Sequence, residues 1–184
     1  MFERGFKTWC ERLSLEKRRE LGAAAKSPLD PRSLATNLQI KVWTLEEVPR
    51  LSAKTIKTLK DDPSSGWSAA TICVDKRSVI ILNSSHSPGR QSSDLMHELS
   101  HLILDHTPSA LDVTSAGILM MHSYDRKQEA EADWLASCLL LPREALVHIK
   151  RRMPNLEEAA RDYGVSMAML RYRLDVSGVN YQFA

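Results

Sequence analysis

The sequence predicts an α+β fold built as one domain. Apolar residues recur at helical spacing in several stretches, and short β-type runs lie between them. The chain has 184 residues, of which 43% are hydrophobic and 26% are charged, and this length and composition suit one well-packed globular domain. We therefore expect a small antiparallel sheet or hairpin packed on a helical bundle, with a short helical tail.

The N-terminal half is expected to supply two helices and then three strands. Apolar residues at helical spacing predict an amphipathic helix over residues 3–24. Asp30 before Pro31 is a favourable N-cap, so a short helix should run from there to about residue 37. Strands are expected over residues 39–44, 67–74 and 78–82, the last two as a hairpin, with a polar loop at residues 61–66 before them.

The C-terminal half is expected to be mainly helical. One helix should begin near residues 90–93 and continue to about residue 105, and a second should span residues 124–141 and stop at Pro142. The segment between them is predicted as a loop, because Ser, Thr, Gly and Met are mixed there. Three short helices follow, over residues 143–152, 155–163 and 166–174. We place a core domain at residues 1–142 and a helical extension, packed on the same domain, at residues 143–184.

Charge, hydropathy and cysteine content argue against several classes of protein. The formal net charge is +2 with acidic and basic residues interleaved, which gives no strong reason to expect a nucleic-acid or membrane partner. No apolar run approaches the roughly 20 residues that span a bilayer, and no secretory signal is apparent. Cys10, Cys73 and Cys138 lie far apart, which is typical of reduced thiols in a cytoplasmic protein.

Residues 97–101 read His-Glu-Leu-Ser-His inside an apolar run. On a helix His97 and His101 are one turn apart, so both imidazoles project from one face and can bind one metal ion. Glu98 lies beside the first ligand, where its carboxylate can reach a water molecule without itself binding the metal. Zinc proteases use this arrangement, so the motif makes the chain a candidate hydrolase.

A catalytic zinc site usually takes three protein ligands and leaves a fourth position for water. The helix expected at residues 124–141 offers Glu129, Glu131 and Asp133. Glu129 and Asp133 are four residues apart and share a face. We therefore predict that Glu129 binds the metal and that Asp133 accepts the other ring N–H of a ligand histidine. Glu131 points elsewhere and is the alternative ligand.

This set of residues also indicates a cofactor and a reaction. Two imidazoles and one carboxylate favour Zn2+ by affinity order, with Mn2+ as the other candidate. Glu98 would take a proton from water and deliver it to the leaving amine. His106, His122 and Tyr124 are within sequence reach as donors to the developing oxyanion, and nothing singles one out. An edge strand of the hairpin before the motif could pair with an extended substrate peptide.

The pattern extends well beyond the five motif residues. A hairpin ending in Asn83 and a turn with Arg90 precede them, and His106 trails them. The next helix reads Glu-Ala-Glu-Ala-Asp-Trp-Leu-Ala from Glu129 and closes in Leu-Leu-Leu-Pro at Pro142. This order of segments resembles the ImmA/IrrE family of metallopeptidases, whose ligand glutamate falls on Glu129. The chain departs from that pattern by Ser100 for the usual Gly, Asp133 for a frequent Asn and Leu135 for a frequent Phe.

The resemblance implies a zincin-like fold and an intracellular zinc metalloendopeptidase. Family members typically cleave DNA-binding regulators with helix-turn-helix domains, often repressors of mobile elements or stress genes. The expected partner is therefore a protein substrate of that class, with no membrane and no direct contact with nucleic acid. The substrate's identity, its cleavage site, the activating signal and the oligomeric state stay open.

The tail of the chain favours a second class of function. Residues 156–174 have the cadence of a helix-turn-helix, with Gly164 at the turn and Ser166 as a cap, and Arg171 and Arg173 could meet phosphates. The alternative is a DNA-binding protein, or a regulator of the toxin–antitoxin type that acts by association, with a structural metal site. The first of these helices is acidic and the tail is not strongly basic, so the peptidase is the favoured hypothesis.

Overall fold

A small sheet and three helices pack on one another in successive layers. The computed structural model describes residues 2–61, 67–74, 77–106, 111–113, 119–121 and 125–183. Its helices are α1 Phe6–Glu20, α2 Pro31–Asn37, α3 Ala53–Asp61, α4 Pro88–Ile103, α5 Arg126–Leu140, α6 Arg143–Arg152, α7 Leu156–Asp162, α8 Met167–Val176 and α9 Val179–Gln182. Its strands are β1 Lys41–Thr44, β2 Ala69–Val74, β3 Arg77–Leu82, β4 Leu111–Val113 and β5 Leu119–Met121. The predicted α+β fold is confirmed.

The main sheet is mixed, with the strand order β1-β3-β2. β2 and β3 form the predicted antiparallel hairpin, in which Thr71 lies opposite Ile80. β1 instead pairs in parallel with β3, with Val42 opposite Ile80. A parallel neighbour needs a long connection, and the segment from residue 45 to residue 76, which contains α3, supplies it.

Elements missing from the sequence prediction are short or weakly buried. α3 contains no fully buried residue, and its few apolar residues lie among lysines. The sequence therefore predicts only a polar segment there. β4 and β5 form a separate two-stranded ladder within the predicted loop of residues 107–123. Three-residue strands carry too few positions for an alternating pattern to be detected. Residues 62–66 of the predicted loop lie outside the described residues.

The centre of the core lies where α4 meets α5. α4 packs on β2 and β3 and also on α5, and α5 in turn packs on α1. The buried face of α4 includes Leu95 and Leu99, and that of α5 includes Leu135 and Leu139. Ser100, which replaces the glycine usual in the motif, is also buried, and its hydroxyl donates a hydrogen bond to the Met96 carbonyl oxygen at 2.8 Å. The contact between the buried leucines of α4 and α5 sets the separation of these two helices, which carry the motif residues.

The tail forms the predicted helices, but Arg173 is buried and does not face solvent as a phosphate contact would require. Gly164 has φ +62° at the turn between α7 and α8, and Ser166 caps α8 as expected. Arg173 is fully buried, and it donates hydrogen bonds to the Glu11 carboxylate at 2.6 Å and to the Leu141 carbonyl oxygen at 3.1 Å. The prediction that Arg173 contacts phosphate is therefore wrong, because this side chain joins α8 to α1 and to the end of α5.

We expect Arg173→Ala to lower the free energy of unfolding by about 3 kcal/mol, since it leaves Glu11 and the Leu141 carbonyl without their cationic donor. The matched control is Arg171→Ala, which removes an exposed arginine of the same helix. It should change the free energy by no more than about 0.5 kcal/mol. Urea unfolding followed by circular dichroism gives both values. Equal effects of the two variants would contradict the structural role of Arg173.

Candidate metal centre

Two half-buried imidazoles converge on one face of α4. His97 and His101 lie one helical turn apart, opposite the buried leucines, and their Nε2 atoms are 3.0 Å from each other. Their side chains are 24% and 19% exposed, so a small ion can reach the ring nitrogens. The helix period alone places the two rings on one face.

A carboxylate from the first turn of α5 completes the group. Asp125 caps this helix by accepting hydrogen bonds from two backbone N–H groups, so Glu129 is held one turn inside it. Glu129 Oε2 lies 3.3 Å from His97 Nε2, and Oε1 lies 3.5 Å from His101 Nε2. Within the described part of the chain, His97, His101 and Glu129 are the group whose ligand atoms are close enough to share a metal ion.

The spacing of the two ring nitrogens and the Glu129 carboxylate fits a tetrahedral ion. Tetrahedral zinc has bonds of about 2.0–2.1 Å to nitrogen and oxygen, which places its ligand atoms about 3.3 Å from one another. The two Nε2 atoms are 3.0 Å apart, and one Glu129 oxygen lies 3.3 Å from His97 Nε2 while the other lies 3.5 Å from His101 Nε2, so each measured separation is near that value. A three-ligand group of this kind leaves one coordination position without a protein ligand.

Asp133 lies one turn after Glu129 on α5 and contacts the outer edge of His97. Its Oδ1 is 2.9 Å from His97 Nδ1. A proton held on Nδ1 by this carboxylate leaves the Nε2 lone pair free to bind a cation. Burial opposes the charged form of His97, but the hydrogen bond and charge of Asp133 outweigh it and raise the pKa of His97 above its usual value.

Glu98 is half-buried, and its carboxylate forms a hydrogen bond with a strand of the main sheet. The Thr71 hydroxyl, from the middle of β2, donates a hydrogen bond to Glu98 Oε2 at 2.5 Å. Burial raises the pKa of Glu98 above its usual value, and the hydrogen bond from Thr71 acts in the opposite direction. Sequence reasoning missed Thr71, because no local signal connects a strand residue with a glutamate 27 positions later.

The pKa of His101 is lowered to about 4, first by burial and then by the neighbouring rings of His97 and His106. His101 is therefore a neutral imidazole near pH 7, which is the form that binds metal ions.

Glu131, the alternative ligand, faces away from this group. Its Oε2 lies 3.4 Å from His106 Nε2, on the far side of His101. His106 contacts other side chains through both ring nitrogens, which argues against its use as an oxyanion donor. The other two oxyanion candidates, His122 and Tyr124, lie outside the described residues.

One protein family matches most of this region. The matching family, Peptidase_M78, is described as the IrrE N-terminal-like domain, and the match covers residues 50–175. The chain belongs to this family. The predicted ImmA/IrrE membership is thereby confirmed, and membership in this IrrE-like peptidase family supports a metallopeptidase-type function.

The fold of this IrrE-like chain is also found in a solved structure. A Mycobacterium tuberculosis transcriptional regulator is similar to it with a TM-score of 0.51 and 15% sequence identity. The similarity covers 94% of this chain and 47% of the regulator, so the chain spans about half the length of that protein. Among curated proteins, none matches this sequence. Within the described ranges, no helix combines the length and apolar character that a bilayer span requires.

Proposed function

We propose that this chain is a zinc-dependent endopeptidase of the cytoplasm. The observation that carries the proposal is the convergence of His97, His101 and Glu129 beside the carboxyl group of Glu98. The first three residues would hold the ion. Affinity order and the two imidazoles favour zinc over manganese. An ion bound there would supply Lewis acidity, which acidifies water and polarises a carbonyl group.

The residues of the chain itself would handle the proton. Glu98 takes one proton from the water that attacks the scissile carbonyl carbon, and the water oxygen forms the new bond to that carbon. The same carboxyl group then delivers the proton to the departing amine nitrogen as the C–N bond breaks. Thr71 holds Glu98 in place through its hydroxyl and therefore acts as a positioning residue.

The edge of the main sheet is the proposed substrate-binding element. β2 is an outer strand of this sheet, and Thr71 on it contacts Glu98. An extended peptide paired with the side of β2 that carries no strand in the described part of the chain would therefore run past the proposed catalytic carboxylate. Proline lacks the N–H group that such pairing uses, so substrates should exclude proline at alternate positions near the cleaved bond.

A DNA-binding regulator is the proposed substrate class. The resemblance to the ImmA/IrrE family supports this class. The second hypothesis, that the tail of this chain binds DNA, loses one of its two phosphate contacts because Arg173 is buried. We therefore favour hydrolysis of a regulator over direct binding of DNA.

We expect the purified chain to cleave a helix-turn-helix transcriptional regulator, and to do so only when zinc is present. Mass spectrometry of the products would give the cleaved bond, and a peptide-library digest would give the positions from which proline is excluded. A chelator should stop the reaction and added zinc should restore it. Cleavage that continues unchanged in the chelator would contradict the zinc-dependent mechanism.

A further inference from the structure

The chain reverses direction at the end of the motif helix and brings His106 back to His101. Asp105 adopts a left-handed conformation with φ +53°. The backbone N–H of His106 then donates to the carbonyl oxygen of His101 at 3.0 Å, five residues earlier. This is the hydrogen bond of a Schellman C-cap, and it places the residue after the left-handed position over the last turn of the helix.

The side chain of His106 lies between His101 and Glu131. His106 Nδ1 is 3.0 Å from His101 Nδ1, and the two rings meet edge to face with centroids 5.0 Å apart. On its other side, His106 Nε2 is 3.4 Å from Glu131 Oε2. The side chains of His106 and Glu131 are only 8% and 13% exposed, so protein atoms and not bulk water surround most of this contact.

The positions of the protons on the two imidazole rings follow from the ring nitrogen of His101 that must keep its lone pair for the ion. If His101 binds an ion through Nε2, its proton is on Nδ1, and among the described residues it faces the Nδ1 of His106 at 3.0 Å. That atom must then carry a lone pair, so the ring proton of His106 is on Nε2. The acceptor facing this proton, among the residues that the structure describes, is the carboxylate of Glu131 at 3.4 Å. One arrangement of protons therefore satisfies every contact from the ligand to the carboxylate.

We infer that His106 and Glu131 are positioning residues that fix the ring orientation and the tautomer of His101 for metal binding. This inference rests on the proposed zinc site. His97 is fixed directly by a carboxylate, Asp133, whereas His101 is fixed through an intervening imidazole. The buried pair also explains why two ionisable side chains that do not bind the ion lie within the contact region of α4 and α5.

The test is the zinc affinity of the full chain, measured by competition with a chromogenic chelator. His106→Leu removes the acceptor and should weaken zinc binding by about 10- to 100-fold, the usual effect of losing the partner of a ligand histidine. His106→Asn is the matched control, because its side-chain oxygen can accept a hydrogen bond near the position of Nδ1. It should restore most of the affinity. Glu131→Gln keeps an acceptor for His106 and should bind zinc more tightly than Glu131→Leu.

A second measurement uses the unaltered chain and does not depend on how the variants fold. Long-range 1H–15N NMR of the zinc-loaded protein should show His101 protonated at Nδ1 and His106 protonated at Nε2. His106 protonated at Nδ1, or equal zinc affinity of His106→Leu and the unaltered chain, would overturn the inference and leave the zinc site in place. Failure of the unaltered chain to bind zinc would instead overturn the proposed function.

Discussion

Glu98→Gln is expected to lower peptide hydrolysis by about 10²- to 10⁴-fold, the usual contribution of a general acid–base group, while zinc binding stays unchanged. The amide has nearly the same shape as the carboxyl group and can still accept the hydrogen bond from Thr71. It cannot take the proton of the attacking water. Initial rates on the cleaved regulator, together with zinc content by chelator competition, measure the two effects separately.

Two further variants make this result specific. Glu16→Gln makes the same chemical change at an exposed position of α1 and should leave the rate unaltered. Thr71→Val removes the hydroxyl that holds Glu98 and should lower the rate by about 10- to 100-fold. A carboxyl group that is no longer held in the productive position can still transfer the proton, but more slowly. A Glu98→Gln variant with full hydrolytic activity would exclude Glu98 as the proton carrier. Full biological activity without hydrolysis would instead favour action by association.

Glu129→Ala is expected to weaken zinc binding by more than about 100-fold, which exceeds the usual loss for a residue that only orients a ligand. The variant removes one of three donor atoms and leaves two imidazoles that lie on one helical turn. Chelator competition on the purified chain measures the affinity. Circular dichroism of the zinc-free protein checks that the short alanine side chain leaves α5 folded, as its position in the first turn leads us to expect.

The neighbouring acidic residues on α5 supply graded controls for Glu129. Asp133→Ala removes the hydrogen-bond partner of His97 and should weaken zinc binding by about 10- to 100-fold. Glu131→Gln should have a smaller effect than either, because its amide oxygen can still accept from His106. If Glu131→Gln abolished binding and Glu129→Ala did not, the alternative ligand assignment would be correct and the present one wrong.

Much of the site could be predicted because its geometry is local. The helical period alone places His97 and His101 on one face, and it separates Glu129 and Asp133 from Glu131 on the next helix. The caps of α2, α5 and α8 depend on side chains within three residues of the N–H groups that they satisfy. Interactions of this range are contained in a short stretch of sequence.

The sequence by itself determined the α+β class, the family resemblance and the residue types of the proposed centre. Only the tertiary structure decided that Glu129 reaches both imidazoles, that Thr71 holds Glu98 and that Arg173 is buried against Glu11. These contacts join residues between 27 and 162 positions apart. Their distances depend on how whole helices and strands pack against each other, and no local period in the chain encodes that packing.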